Sequence, residues 1–575
     1  MKSVHNSRVA DIFDEIATML DIEGENRFRI LAYKKASQTI RDLPQELSEM
    51  LQEGRDLTEL PGIGKDLSAK IEEIVKSGDL KFHKELQKKV PLSLVQLCAL
   101  QNLGPKKVKK LHDKLRILTI SDLEKAARAG KIEKLEGFGK RSEEKILEAI
   151  ELRKTSSGRM PLVTALPIAD SIVEYLKKLK GVNKVEVAGS IRRRKETIGD
   201  LDVLVTGNIN PALIKDAQRF GDVDKVLASG ETKVTLRLVQ GIQVDIRFLE
   251  PKSFGSALNY FTGSKEHNVI LRNIAKKKGL KLSEYGLFKG SRQVAGIDEE
   301  GIYKKLGLDY IPPVLREDRG EIDAAKNHKL PKLITLKDIR GDLHIHTTAS
   351  DGSNSIIEMA REAKALGYEY IAITDHSHGQ RQANGLEPRR MRKHLEEIRK
   401  VNDSFKGLEI FAGSEVDILK DGSLDYKDDL LDEMDVVVAS IHSHFLLSKP
   451  EQTKRVIKAI KSGRVTIIGH PTARLLGRRK PVDMDMDEVL KAAGDYGVAM
   501  ECSAQPSRLD LSDLYCKLAK DLKVKVVINT DAHSTNNLHY MELGIYNADR
   551  GWIGKGDVIN TLPLAKFKRF IRYGR

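Results

Sequence analysis

Gly189-Ser190-Ile191-Arg192-Arg193-Arg194-Lys195-Glu196-Thr197-Ile198-Gly199-Asp200-Leu201-Asp202 places a basic, phosphate-reading segment directly before a pair of carboxylates. In Asp200-Leu201-Asp202-Val203-Leu204-Val205 polar and apolar residues alternate as in a half-buried strand, which puts Asp200 and Asp202 on one face. A third acid, Asp245, lies in Ile242-Gln243-Val244-Asp245-Ile246-Arg247-Phe248, where Val244, Ile246 and Phe248 take the buried face and leave Asp245 on the other. Three such acids suit a two-metal site, and hard oxygen ligands favour Mg²⁺. Gly189 lets the backbone approach closely, while Ser190 and the arginines offer charge-assisted hydrogen bonds to a triphosphate. The chemistry indicated is nucleotidyl transfer.

These residues resemble a family X DNA polymerase, the group that includes DNA polymerase beta. Tyr260-Phe261-Thr262-Gly263-Ser264-Lys265-Glu266-His267-Asn268 is similar to the segment that cradles the incoming nucleotide in that family. The resemblance implies that Asp200, Asp202 and Asp245 ligate the catalytic metals. It also implies that Gly189, Ser190, Arg193 and Gly263 surround the triphosphate, Tyr260 and Phe261 pack against the sugar, and Asn268 and Arg272 sit on the minor-groove side of the nascent pair. One departure is Gln243, where polymerase beta-like members carry an arginine.

Charge agrees with a polyanionic partner for part of the chain only. The 575 residues carry a net +15, but residues 341–575 hold 35 basic and 34 acidic side chains, so +14 resides in residues 1–340. The first part is the expected DNA binder, with salt-dependent association. Neither a charged-then-apolar leader nor a membrane-length apolar run is present, which gives the expectation of a cytoplasmic protein that does not enter membranes. Cys98, Cys502 and Cys516 are an odd number without metal-type spacing and read as buried small hydrophobes. With Trp552 as the lone tryptophan, extended single-strand stacking platforms are not expected.

One motif recurs three times: Leu60-Pro61-Gly62-Ile63-Gly64-Lys65, Leu100-Gln101-Asn102-Leu103-Gly104-Pro105 and Leu135-Glu136-Gly137-Phe138-Gly139-Lys140. It reads as helix-hairpin-helix: Gly62, Asn102 and Gly137 permit a left-handed turn, and Gly64, Gly104 and Gly139 open helices whose free N–H groups bind a DNA phosphate. Lys65, Lys106 and Lys140 stand beside them as further DNA contacts. Residues 1 to about 90 resemble the N-terminal lyase domain of polymerase beta, on Ala32-Tyr33-Lys34-Lys35-Ala36 and Leu60-Pro61-Gly62-Ile63-Gly64. That resemblance puts Lys70 at the Schiff-base lysine of deoxyribose-phosphate (dRP) lyase chemistry. A lysine recurs at Lys110 and Lys145 and Asp66 stands where the family has another lysine, so a phosphate-contact role for Lys70 stays open beside catalysis.

Beyond Gly341 lie ten of the fifteen histidines, many at the ends of short apolar runs that alternate with helical stretches, as in Tyr370-Ile371-Ala372-Ile373-Thr374-Asp375-His376. That is a barrel-like α/β pattern, whose strand ends converge on one mouth. The candidate ligands are His344, His346, Asp351, His376, Glu415, His442, His470, Asp531 and His533, a mixed set suited to Mn²⁺ or Zn²⁺. In order they resemble the trinuclear site of a polymerase and histidinol phosphatase (PHP) domain, which implies a distorted (β/α)7 barrel, three ions and phosphoester hydrolysis. Arg474 is the candidate for a substrate phosphate, and Glu501-Cys502-Ser503-Ala504 departs from relatives.

Together these readings give a multidomain α and α/β chain. The expected divisions are a lyase-like helix-hairpin-helix domain over 1–92 and helical fingers over 93–158. A palm and thumb with a mixed sheet follow over 159–315, then a linker over 316–340 and a PHP phosphoesterase over 341–575. The expected function is a monomeric gap-filling polymerase of base excision repair, acting on gapped or nicked duplex DNA with dNTPs. It carries a 3′–5′ exonuclease, and AP endonuclease, 3′-phosphatase or dRP lyase activity stays open beside it. The alternatives are a DNA-end-binding scaffold and a PHP phosphatase for a small molecule.

Overall fold

The structure is a computed structural model that describes residues 6–41, 43, 46–98, 100, 103–156 and 158–573. Two compact units emerge: residues 1–157 with 474–480, and residues 158–473 with 481–575.

The first unit is helical. Helices α1 (Asn6–Glu23) and α2 (Arg27–Arg41) pack against α3 (Lys65–Ser77), α4 (Pro105–Leu115) and α5 (Lys140–Ser156) around one apolar cluster that runs from Val9 to Ile150. The stretches expected as 1–92 and 93–158 therefore share a core. Gly62 and Gly137 adopt φ of 78° and 83°, where a β-carbon would be strained. Gly64 and Gly104 are extended N-cap residues, with no side chain capping α3 or α4. No side chain of the N-cap residue thus takes up the first N–H groups of these helices. Asn102 lies outside the described residues.

The second unit contains two sheets that matter for chemistry. In the first, β1 (Val182–Val187) leads through the short helix α6 (Gly189–Arg192) to β2 (Asp200–Gly207), followed by β3 (Val223–Ser229), β4 (Lys233–Leu238) and β5 (Gln243–Leu249). The order is β1-β2-β5-β4-β3, mixed because β2 and β5 run parallel while the other pairs are antiparallel. Leu201, Val203, Val244 and Ile246 are buried as the alternation demands. Helix α7 (Phe254–Thr262) packs on β2 through Leu204, and α8 (Lys265–Lys277) packs on the three-stranded meander that leads to α9 (Glu299–Leu306).

The segment read as a linker is packed. Arg316 and Glu321 are fully buried, Arg316 Nη1 donates to Glu299 at 2.6 Å, and His267 Nδ1 lies 2.7 Å from Glu321. A charge-rich, proline-punctuated stretch looks like a spacer in sequence because its partners are remote in the chain.

The second sheet is a parallel run of β6 (Gly341–Ile345), β7 (Tyr370–Ile373), β8 (Glu409–Asp417), β9 (Val436–Ser440), β10 (Ile467–Gly469), β11 (Ala499–Ser503) and β12 (Val526–Asn529). These strands are buried throughout, as parallel strands sheathed by helices must be. A bridge between Ile345 and Ala532 nearly closes the barrel. Leu343, Tyr370, Phe411 and Val436 pack with Phe567 in one cluster at the strand starts. Helices α10 (Asp513–Asp521) and α11 (Met541–Arg550) lie outside, and Trp552, just past α11, joins the apolar core of Leu287, Tyr303 and Leu315. The barrel and the polymerase-like region are thereby one packed body. Among the described residues no helix is long and apolar enough to cross a membrane.

Candidate active sites

The first site sits at the start of β2. Parallel pairing sets Asp202 beside Asp245, and β4 brings Thr235 opposite Asp245. Gly189, at φ 67°, permits the turn into α6; a β-carbon there would lie 3.0 Å from Asp202 Oδ2. All eight residues assigned to the nucleotide line one cavity of about 500 Å³ together with Asp200 and Asp202. Arg159, Lys195 and Lys265, not foreseen from the sequence, complete its basic wall.

Asp245 is not among the cavity's lining residues. Its carboxylate accepts hydrogen bonds from Thr235 Oγ1 at 2.7 Å and Gln243 Nε2 at 3.4 Å, and it pairs with Lys233 at 2.8 Å. Gln243 is thus a neutral donor to the acid it precedes, and Lys233 supplies a cation. Arg247 stacks over Phe261 at 4.0 Å with Nε 3.8 Å from Asp202. Burial, then the neighbouring Asp200, pushes the Asp202 carboxyl up to about 6. A half-buried carboxylate crowded by a second acid, as Asp202 is, is what a divalent cation would relieve, so this donor set fits the expected ions.

The second site gathers at the carboxyl ends of the barrel strands. Three groups of potential ligands form there: His346, Asp351, His376 and His533; His344, His346 and Asp531; His376, Glu415 and His442. His470 lies 2.9 Å from Glu415, which is also 2.8 Å from His376 and 3.1 Å from His442. The nine candidates are therefore brought together. Most line a cavity of about 300 Å³, with His344 and His346 fully buried. His470 and Asp531 hold left-handed backbones, φ 26° and 52°, a strain typical of functional sites.

His344 Nε2, His346 Nε2 and both carboxylate oxygens of Glu415 are buried and make no well-directed hydrogen bond, although imidazoles stand close around Glu415. Orphaned donors and acceptors of this kind are costly unless something else satisfies them, and imidazole mixed with carboxylate fits borderline transition-metal ions. Burial disfavours charged imidazole, yet Glu415 and Asp351 overcome it and hold His376 up at about 10.

Acids behind the ligands were missed by sequence reasoning. Glu501 Oε1 is 2.7 Å from His344 Nδ1, and Asp417 Oδ1 is 2.6 Å from His442 Nδ1. Both turn an imidazole's other nitrogen toward the site. The one available signal was position: each is an acid at or near the carboxyl end of a buried strand. His394 bonds Asp375 at 2.7 Å outside the ligand groups. The arginine on the cavity wall is Arg508, 3.6 Å from Asp531, whereas Arg474 is a buried residue of the 474–480 segment grouped with the first unit.

In the helical unit Lys70 pairs with Asp66 and lies 5.5 Å from the centre of the Tyr33 ring. Burial opposes the ammonium, but Asp66 and Tyr33 raise its pKa above the ordinary lysine value. Lys110 pairs with Glu136 at 3.2 Å.

Four stretches of the chain match known protein families. Residues 4–80 match the helix-hairpin-helix domain family, 95–152 the SAM-like helix-hairpin-helix tandem, 257–317 the DNA polymerase beta thumb and 342–505 the PHP domain. Fold and matches define a polymerase of the beta type joined to a PHP barrel. The chain is 38% identical over 576 residues to the DNA polymerase/3′-5′ exonuclease PolX of Bacillus subtilis (strain 168), covering 99% of this chain and 100% of that protein. It belongs to the PolX family, the family X DNA polymerases that carry a C-terminal PHP domain. A probable phosphatase of Thermoanaerobacter sp. (strain X514) is 30% identical over 40% of this chain and 94% of its own length. A solved ternary complex of Leishmania infantum polymerase beta aligns at 22% identity over 39% of this chain and 98% of its own, with a TM-score of 0.26, too low to transfer geometry.

Proposed function

We propose that this protein is a DNA polymerase with a 3′–5′ exonuclease, which fills short gaps at the palm cavity and removes 3′-terminal nucleotides at the barrel mouth. The observation that carries it is the presence, in one chain of this family, of two acid-rich sites with different donors: carboxylates beside a basic cavity, and nine imidazole and carboxylate ligands in a barrel. Asp200, Asp202 and Asp245 would hold Mg²⁺; the nine barrel residues would hold Mn²⁺ or Zn²⁺. Such ions, when bound, supply charge neutralisation at phosphate and a more acidic hydroxyl or water.

The chain's own residues do the rest. Ser190 and Arg193 bind the triphosphate, Tyr260 and Phe261 pack on its sugar, and Asn268 and Arg272 meet the minor-groove side of the new pair. Asn268 is positioned by donating to the Tyr260 carbonyl at 2.7 Å. The hairpin helices after Gly64, Gly104 and Gly139 bind duplex phosphates without reading sequence. Lys70, held as an ammonium by Asp66, contacts a gap's 5′-phosphate rather than forming a Schiff base. Arg508 meets the scissile phosphate at the barrel.

A phosphatase acting on a small molecule would need only the barrel, as in the relatives named probable phosphatases, and would leave the hairpin motifs without a task. Base excision repair is the process this activity suits. The test is a gel assay on a gapped duplex with a 3′ mismatch, comparing Mg²⁺ with Mn²⁺. Removal of the mismatch followed by filling of the gap is the expected result; a protein that binds the gap but neither extends nor trims it refutes the proposal.

A further inference from the structure

We infer that the barrel region holds the triphosphate-binding turn of the polymerase region in place through Arg550, a positioning residue for nucleotide addition. This rests on the reading that Arg193 contacts the triphosphate. Arg550 ends α11 and is 4% exposed. Its Nη1 donates to the backbone carbonyl of Arg193 at 2.8 Å and to Glu317 Oε1 at 3.0 Å, while its Nη2 donates to Asp513 Oδ2 at 2.6 Å. The same Glu317 oxygen accepts Arg193 Nε at 2.9 Å, and Lys195 Nζ stands 3.5 Å from its other oxygen.

Arg193 is therefore fixed twice, in its backbone by Arg550 and in its side chain by a carboxylate that Arg550 shares. The guanidinium also donates to the Thr262 carbonyl, and a β-carbon on the adjacent Gly263 would lie 3.1 Å from its Nη1. The next residue, Arg194, rests 4.3 Å over the ring of Tyr546, one turn earlier on α11. Two consecutive residues of the turn thus lean on one barrel helix.

Charge explains why the support comes from an arginine. Glu317 is nearly buried, so its carboxylate must keep a cation. A triphosphate competes with Glu317 for Arg193 and Lys195. Without Arg550, releasing the Arg193 guanidinium to the nucleotide would strand Glu317; with it, the carboxylate stays paired and the guanidinium can pass to the triphosphate from a backbone that Arg550 still holds. Asp513, also 3.1 Å from Arg319, balances Arg550 from α10.

Single-nucleotide insertion by the full-length protein on a gapped duplex tests this. Arg550→Gln is expected to raise KM for the dNTP roughly tenfold, with a smaller effect on kcat. Arg550→Lys should recover part of the loss, and 3′–5′ hydrolysis should stay at the unaltered rate. Asp513→Asn, which leaves the bonds to Arg193 and Glu317 but removes the anchor, should give a smaller KM increase, and it carries the test if Arg550→Gln does not fold. Arg193→Ala is the control: an unchanged KM there refutes the nucleotide pocket itself. If Arg193→Ala raises KM while the Arg550 and Asp513 variants do not, the inference is overturned. It is equally overturned if insertion and hydrolysis fall together, since that marks a merely structural role.

Discussion

Glu501 Oε1 lies 2.7 Å from Nδ1 of His344, and both residues are fully buried. The same carboxylate accepts the His470 backbone N–H at 2.6 Å and the Asn529 amide at 2.9 Å, so one acid orients the imidazole of His344 and holds the backbone of His470. Glu501→Gln should weaken Mn²⁺ binding at the barrel by roughly 10- to 100-fold, the usual effect of losing such a partner. Calorimetric titration of Mn²⁺ checks it; nucleotide addition should be unchanged.

Asp245→Ala should lower nucleotide addition by at least about 10³-fold, because members of one metal site act as a unit. Gapped-DNA affinity and 3′–5′ hydrolysis should persist. Primer extension near the unaltered rate would remove Asp245 from the site.

Glu299 binds Arg316 and Arg192, both at 2.6 Å. Burial favours its neutral form, but the Arg316 and Arg192 charges prevail and hold the carboxyl down at about 2. A depressed carboxyl stabilises the fold above its ordinary value of 4.5, and that stability is lost as pH falls toward 2. Glu299→Gln should cost about 3–5 kcal/mol at neutral pH, since Arg316 is left buried and unpaired. Urea unfolding at pH 7 and pH 3 should show the gap narrowing at the lower pH.

Lys70→Ala should leave borohydride trapping on an abasic 5′ end undiminished, because the contacts with Asp66 and Tyr33 favour the ammonium over the free amine. Binding to a 5′-phosphorylated gap should weaken severalfold more than to an unphosphorylated one. A cross-link lost in Lys70→Ala would restore the lyase assignment.

A linker at 316–340 implies that residues beyond it are dispensable for nucleotide addition. With Trp552 in the core around Tyr303, and Arg550 on Glu317, a chain ending near Lys329 should extend primers poorly.

The acids of β2 and β5, the hairpin glycines and the nine candidate residues of the barrel mouth were legible as groups because each rests on local spacing: a period of two along a strand, a glycine before a helix, a polar residue near the end of an apolar run. Tertiary structure alone decided what stands behind them. Glu501 reaches His344 across 157 positions and Arg550 reaches Glu317 across 233, and spacing says nothing about pairs so far apart. It also decided that Asp245 turns to Lys233 and Thr235, that Arg508 rather than Arg474 lines the barrel cavity, and that an apparent linker is core. Sequence fixes which groups a strand or turn can present, since that follows from backbone period and sterics. Which charge satisfies which, once water is excluded, depends on the elements the whole fold brings together.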